Sequence, residues 1–253
     1  MTGERATDRI VLAISGADRE KFLQGLVTND VGKLADGPIY AALLTPQGKY
    51  LADFLLADAG EAILMDVHES IAAQTAQRLS MYRLRADVTI SRTEFNVLRG
   101  LGEPPAGALS DPRHPALGWR LYTGEEGGPA QVDWDAIRVA HCIPETGMEL
   151  IPNQTYILEA GFERLGGVDF RKGCYVGQEV TARMKHKTEL RKGLEVVEIE
   201  GSAPPGTEIT AQGRAVGTLH TRSGDRAIAY LRFDRAADEM RAGEAVVRRI
   251  AES

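Results

Sequence analysis

From residue 189 onward the chain is written in short apolar runs that leave no room for a long helix. Residues 194–199, 208–211, 215–221 and 227–233 are interrupted by Pro204-Pro205-Gly206, Gln212-Gly213 and Ser223-Gly224-Asp225. Runs of this length between turn-forming residues describe strands joined by tight connections. Such strands escape unpaired edges by closing on themselves, so residues 189–253 are expected to form a small β-barrel.

The first 95 residues read differently. Residues 10–14 are an apolar run followed by Ser15-Gly16-Ala17-Asp18, small polar residues suited to a helix start, and Phe22, Leu23 and Leu26 then recur at helical spacing. Residues 39–44 and 50–57 read as strands joined across Thr45-Pro46-Gln47-Gly48-Lys49, with a further strand at 61–67. Ile71, Thr75, Leu79 and Tyr82 mark one face of a helix, and 87–91 is a strand. This order predicts a sheet covered on one face by helices. Residues 100–118, with Pro104, Pro105, Pro112 and Pro115, read as a connection. A second mixed lobe follows, with a helix near 133–142. The expected class is α+β, divided into lobes at 1–95 and 96–188 and a barrel at 189–253.

Charge and composition exclude several functions. With 30 Lys and Arg against 36 Asp and Glu, the net charge of −6 argues against nucleic-acid binding through a basic surface. No apolar run approaches the roughly 20 residues that cross a bilayer. The N-terminal MTGERATDRI lacks the apolar stretch of a secretion signal. The expectation is therefore a cytoplasmic monomer without membrane or nucleic-acid partners. Cys142 and Cys174 form neither a disulfide framework nor a Cys-x-x-Cys pair, and the five histidines lack zinc-like spacing.

Cys174 nevertheless stands out, in Arg171-Lys172-Gly173-Cys174-Tyr175-Val176-Gly177. Flanking glycines suit a tight turn that leaves the sulfur uncovered, and neighbouring cations favour thiolate, the form that attacks electrophiles or ligates metal. A small residue that merely fits a turn is the alternative.

Lys-Gly-Cys-Tyr-x-Gly-Gln-Glu at 172–179 with Thr-Ala-Arg at 181–183 resembles the signature of the YgfZ family of folate-binding proteins. Phe-Leu-Gln-Gly-Leu-Val-Thr-Asn-Asp at 22–30, Thr-Pro-Gln-Gly-Lys at 45–49, Tyr-Arg-Leu-Arg-Ala-Asp at 82–87, Leu-Gly-Trp-Arg at 117–120 and Leu-Gly-Gly-Val at 165–168 agree in order. Ile-Pro-Glu at 143–145 and the Met-Lys-His after Thr-Ala-Arg are most similar to the mitochondrial-type branch, the late-acting iron–sulfur assembly factors. The resemblance implies the three-lobed ring of the glycine-cleavage aminomethyltransferase: two α+β, ferredoxin-like lobes and a C-terminal β-barrel around a folate-sized channel.

It also implies site residues. Tyr40 and Asp53 match the tyrosine and aspartate that the related transferase sets against tetrahydrofolate, the ring to stack on the pterin and the carboxylate to pair with its nitrogens. Read by pattern alone, Tyr40 is a core-covering aromatic and Asp53 a solvent-facing strand residue. Two pieces of the transferase pattern are missing. Gly128 and Pro129 stand where an aromatic and a pterin-contacting glutamate belong, and Arg138-Val139-Ala140-His141-Cys142 replaces an Arg-x-Glu-Ala-Gly segment. Without those carboxylates a buried pterin amide edge lacks partners.

An iron–sulfur cluster wants about four ligands, whereas this chain offers one well-placed thiol, with Cys142 read as a buried helix residue. The arithmetic favours a transient cluster shared with a partner such as an A-type iron–sulfur carrier protein. Cys174 is then cluster ligand or reactive thiol, Lys172 tunes it, and Arg183 holds the loop or an anionic group. Arg183, Lys185, Lys187, Arg191 and Lys192 form a basic segment suited to folate glutamates or to an acidic partner, or simply a solvated connection. The expected function is a folate-binding protein assisting assembly or repair of iron–sulfur clusters, of the four-iron kind, in client enzymes. A tetrahydrofolate-dependent aminomethyl or methyl transferase and a folate-reporting module are the alternatives.

Overall fold

The structure is a computed structural model that describes residues 3–186 and 189–250. Its contacts divide the chain into two bodies. One holds the described chain up to Val132 with Pro152–Gln154 and Phe162–Val180. The other holds Asp133–Ile151, Thr155–Gly161 and the described chain from Thr181 on.

The first body carries β1 (Glu4–Arg5), β2 (Arg9–Ser15), α1 (Arg19–Gln24), β3 (Ile39–Leu44), β4 (Tyr50–Asp58), β5 (Ala62–His68), α2 (Glu69–Tyr82), β6 (Thr89–Arg92), β7 (Asn96–Gly100), β8 (Leu109–Ser110) and β9 (Trp119–Thr123). The expected boundary at 95/96 falls between β6 and β7, two strands of this same body. An antiparallel sheet in the order β3-β4-β5-β2-β6 forms its centre. Cross-strand register puts Ala41 opposite Phe54, Phe54 opposite Val67, and Leu12 opposite Met65, so one face is continuously apolar. Phe22 and Leu23 of α1 and Ile71, Ala72 and Leu79 of α2 bury against it. Each such side chain contributes about 1.5–3 kcal/mol of burial. Tyr82 departs from the expected inner face. It closes α2 and is 42% exposed, since the helix has run beyond the sheet it covers.

The opposite face is not bare, as a sheet with helices on one side would suggest. A second sheet, ordered β1-β7-β9-β8, lies against it through Ala6, Val11, Leu64 and Val97. Between them sits a layer of buried charge. Asp66, in the middle of β5, accepts from Arg9 Nε at 2.6 Å and from Arg120 at 2.8 Å. Asp111 accepts from Arg120 Nε at 2.9 Å and from both sides of the Arg113 guanidinium at 3.0 and 2.7 Å. Burial pushes both carboxyls up, but the arginines outweigh it and hold them below the usual carboxylate range.

The second body carries α3 (Trp134–Ala140), α4 (Gln178–His186, from Thr181 on) and six strands: β10 (Lys192–Glu200), β11 (Glu208–Ala211), β12 (Arg214–Ser223), β13 (Arg226–Arg232), β14 (Glu239–Ala242) and β15 (Ala245–Arg249). The strands close in the order β10-β13-β12-β11-β14-β15 around Val197, Ile209, Leu219, Leu231 and Val247. α3 is capped by the Asp133 carboxylate, which accepts from Ala136 N–H at 2.9 Å. Cys142 is not a buried helix residue. It follows the end of α3 with φ +50° and is half-buried.

Candidate functional site

The Cys174 loop belongs to the first body and is built from three of the motifs that stood out in the sequence. Asp169 starts it: its carboxylate accepts from the backbone N–H of Arg171 at 2.6 Å and of Lys172 at 3.2 Å, and pairs with Lys33 at 2.6 Å. The hydrogen bond from Lys33 and those two amides keep this carboxyl below its ordinary range despite some burial.

Lys172 is buried, and its ammonium donates to the backbone carbonyls of Gln24, Val27 and Asn29 at 2.8, 2.5 and 2.9 Å, standing 5.0 Å from the Tyr175 ring centroid. Burial lowers its pKa to about 8, so it remains a cation at neutral pH. Its three donors are thus engaged by carbonyls, which makes it a clamp between the loop and residues 24–29. Among the described residues no hydrogen bond links this ammonium to Cys174, the thiol it is expected to tune.

Thr28 and Asn29 complete the seat. Thr28 Oγ1 donates to Gly167 O at 2.6 Å and accepts from Ala42 N–H at 2.8 Å, and Asn29 Nδ2 donates to the carbonyls of Tyr40 and Gly166. Two glycines are dictated by close approach. A Cβ on Gly167 would stand 2.6 Å from Phe162 and 2.8 Å from Tyr40. Gly177, with φ +84°, would place one 2.6 Å from Thr45 O, in the β3–β4 turn. The loop is therefore gripped on both sides while Gly173 and Cys174 at its tip are exposed.

Tyr40 and Asp53 are brought together. The Asp53 carboxylate accepts from Tyr40 Oη at 3.0 Å and from Tyr50 Oη at 2.7 Å. Burial, and then the Asp53 charge, hold the Tyr40 phenol well above its ordinary pKa, so it stays a donor. Asp53 is 3% exposed, so it is no solvent-facing strand residue. Tyr40 is 1% exposed, its ring stacked on Phe162 at 4.8 Å and flanked by the Arg113 guanidinium. As placed, these two residues do not fit a folate, because neither ring face nor carboxylate edge is open to a pterin.

Arg183 sits in the second body, exposed in the last turn of α4 beside Lys185 and His186, where cations complement the helix dipole. Lys187 and Thr188 of the basic segment lie outside the described residues. Arg191 and Lys192 line a cleft of about 780 Å³ together with Glu159, Glu189 and Asp234, so acids accompany the bases. Sequence reading missed Tyr50, Phe162 and Asp169. Tyr50 is three residues from Asp53, the opposite strand parity, and only the bulge in the β3–β4 pairing next to it lets its hydroxyl reach that carboxylate.

Comparison with known proteins adds to this geometry. A family described as the CAF17 C-terminal beta-barrel domain matches residues 191–251, the barrel. The iron–sulfur cluster assembly factor IBA57 of Mus musculus is 31% identical, over 91% of this chain and 77% of that protein. The Homo sapiens protein of the same name is 32% identical, over 90% and 76%. The chain belongs to the IBA57 family of iron–sulfur cluster assembly factors. A homologue from Pyricularia oryzae, 29% identical over 93% of this chain, extends the IBA57 likeness to fungi. Aminomethyltransferase T of the Bartonella henselae glycine cleavage system matches with a TM-score of 0.74 at 13% identity, over 99% of this chain and 86% of that one, which shows an aminomethyltransferase-like fold.

The IBA57 relatives correct one expectation. All three are named mitochondrial, which overturns the cytoplasmic reading.

Proposed function

We propose that this chain assists the assembly of iron–sulfur clusters, of the four-iron kind, in client enzymes, and that Cys174 is the thiol that meets the cluster. The single observation that carries this reading is the placement of Cys174, exposed at the tip of a loop whose flanks are immobilised by Lys172, Asp169 and Gly177. A ligand held this way approaches iron with little conformational entropy left to lose. One thiolate does not hold a cluster. Even with Cys142 the chain has two cysteines where a cluster takes about four ligands, so the remaining ligands come from the protein that brings the cluster, an A-type iron–sulfur carrier. The cluster is cargo in this reading, and Cys174 completes its ligand set during transfer.

Replacing Cys174 by Ser in cells that depend on this protein tests the reading. Client enzymes with four-iron clusters should lose activity while the variant accumulates at the normal level; full client activity overturns it.

Folate binding is a separate proposal, supported by the likeness to the aminomethyltransferase fold and not by Tyr40 and Asp53 as they are placed. It requires the Tyr40–Phe162 stack to open. Calorimetric titration with tetrahydrofolate should detect binding that Asp53→Asn weakens, and no heat with the unaltered chain removes the proposal. One-carbon transfer is not favoured. Gly128 and Pro129 stand where the transferase carries an aromatic and a pterin-contacting glutamate, and Gly128 instead accepts from Arg5 N–H and donates to Gly3 O, which ties down the first strand.

A further inference from the structure

The end of α2 presents a surface that the fold itself does not need. Met81 is 70% exposed and Leu84 89%, and Tyr82 between them is also uncovered. Their neighbours Arg78, Arg83 and Arg85 are exposed as well. Arg78, Met81 and Tyr82 stand at i, i+3 and i+4 in the last turns of α2, and Leu84 and Arg85 follow in the turn that ends it, so the exposed side chains gather at the helix C-terminus, past the stretch where Ile71, Thr75 and Leu79 are buried. Arg78 and Arg85 make no ion pair or hydrogen bond among the described residues. The acid that follows, Asp87, is already occupied by the backbone N–H of Ala17. A chain of net charge −6 thus gathers three arginines around three apolar side chains.

Leu84 adds an independent observation. It follows the C-cap Arg83 with φ +47°, the left-handed position where helices normally place Gly or Asn. A leucine there strains the backbone, and in this structure its side chain gains no burial in return. The segment is also rigid. Arg83 donates to Val88 O at 3.3 Å, Ala86 N–H donates to Arg83 O at 2.8 Å, and Asp18 Oδ2 accepts from Asp87 N–H at 2.9 Å. Leu84 is therefore held outward by a built turn.

We infer that this surface docks an acidic protein, its apolar recess taking Leu84 and Met81 while its carboxylates face Arg78, Arg83 and Arg85. Resting on the function proposed above, the occupant is the cluster-bearing carrier. Charge complementarity selects an acidic partner, and the fixed, strained Leu84 selects a shaped protein recess over a fluid lipid surface.

The test titrates the full chain with a purified A-type iron–sulfur carrier in its cluster-free form, by calorimetry at two salt concentrations. Leu84→Asp and the triple variant Arg78→Glu, Arg83→Glu, Arg85→Glu should each weaken binding by about tenfold or more, as loss of a central anchor or of the complementary charge does. Leu84→Gly should weaken binding while holding or raising the melting temperature, because glycine relieves the strain. Cys174→Ser should bind the cluster-free carrier like the unaltered chain. The proposal is overturned by undetectable binding of the unaltered chain or by equal affinities across the variants. It also falls if these side chains instead govern binding to phosphatidylglycerol vesicles or a dimer of this chain seen by light scattering. Should Leu84→Asp bind normally while Cys174→Ser abolishes client activity, the surface is refuted and the function stands; weak binding by Leu84→Asp with full activity of Cys174→Ser gives the converse.

Discussion

Lys172 shows how one residue of a signature can be structural while its neighbour faces solvent. Its ammonium satisfies three carbonyls that would otherwise be buried without donors. Lys172→Met keeps the stem but orphans those oxygens, and should lower unfolding free energy by about 2–4 kcal/mol. A reduced urea midpoint at unchanged m-value would record it. Gly167→Ala forces a methyl into Phe162 and Tyr40 and should cost about 1–3 kcal/mol by the same assay. Cys174→Ser, at an exposed tip, should stay within about 0.5 kcal/mol of the unaltered chain. The exposed thiol was legible in the sequence from its flanking glycines. The role of Lys172 was not, because its acceptors lie 143 to 148 residues away in the chain.

Among elements, the buried charge layer between the two sheets of the first body governs behaviour. Removing one partner leaves a buried charge uncompensated, so Arg120→Met should destabilise by about 3–5 kcal/mol. The folded-state pKa values of Asp66 and Asp111 lie below those of the unfolded chain. Their contribution is therefore complete above the unfolded carboxylate pKa of about 4 and is lost as pH falls below that through the folded values. Melting temperature against pH should show no loss from this source between neutral pH and about 5, then a decline below about 4 that is shallower in Arg120→Met. Element by element, β3 and β11 fall where short runs between turn residues put them, at Ile39–Leu44 and Glu208–Ala211. β14 and β15 escaped because Glu239-Met240-Arg241-Ala242 and Ala245–Arg249 mix charge into short runs. Buried Met240 and Ala242 of the one and Ala245 and Val247 of the other form their inward faces.

At the scale of the molecule, each body has its own hydrophobic centre, one on the five-stranded sheet and one inside the barrel. Native-state hydrogen exchange should accordingly find two separate sets of protected amides, in β3 to β5 and in β10, β12 and β13. Val247→Ala opens a cavity in the second centre, should cost about 1–3 kcal/mol and should deprotect the barrel set. The sequence by itself determined the local grammar: apolar runs for strands, glycine turns, a helix near 133–142 and an uncovered thiol between glycines. These depend on neighbours within a few residues. The tertiary structure decided which charges are buried together, that Tyr40 turns its ring to Phe162, that Asp53 is sealed and that Leu84 is left in water. Each of those outcomes is a balance of desolvation against partners from distant strands, and such partners exist only once the sheets have stacked.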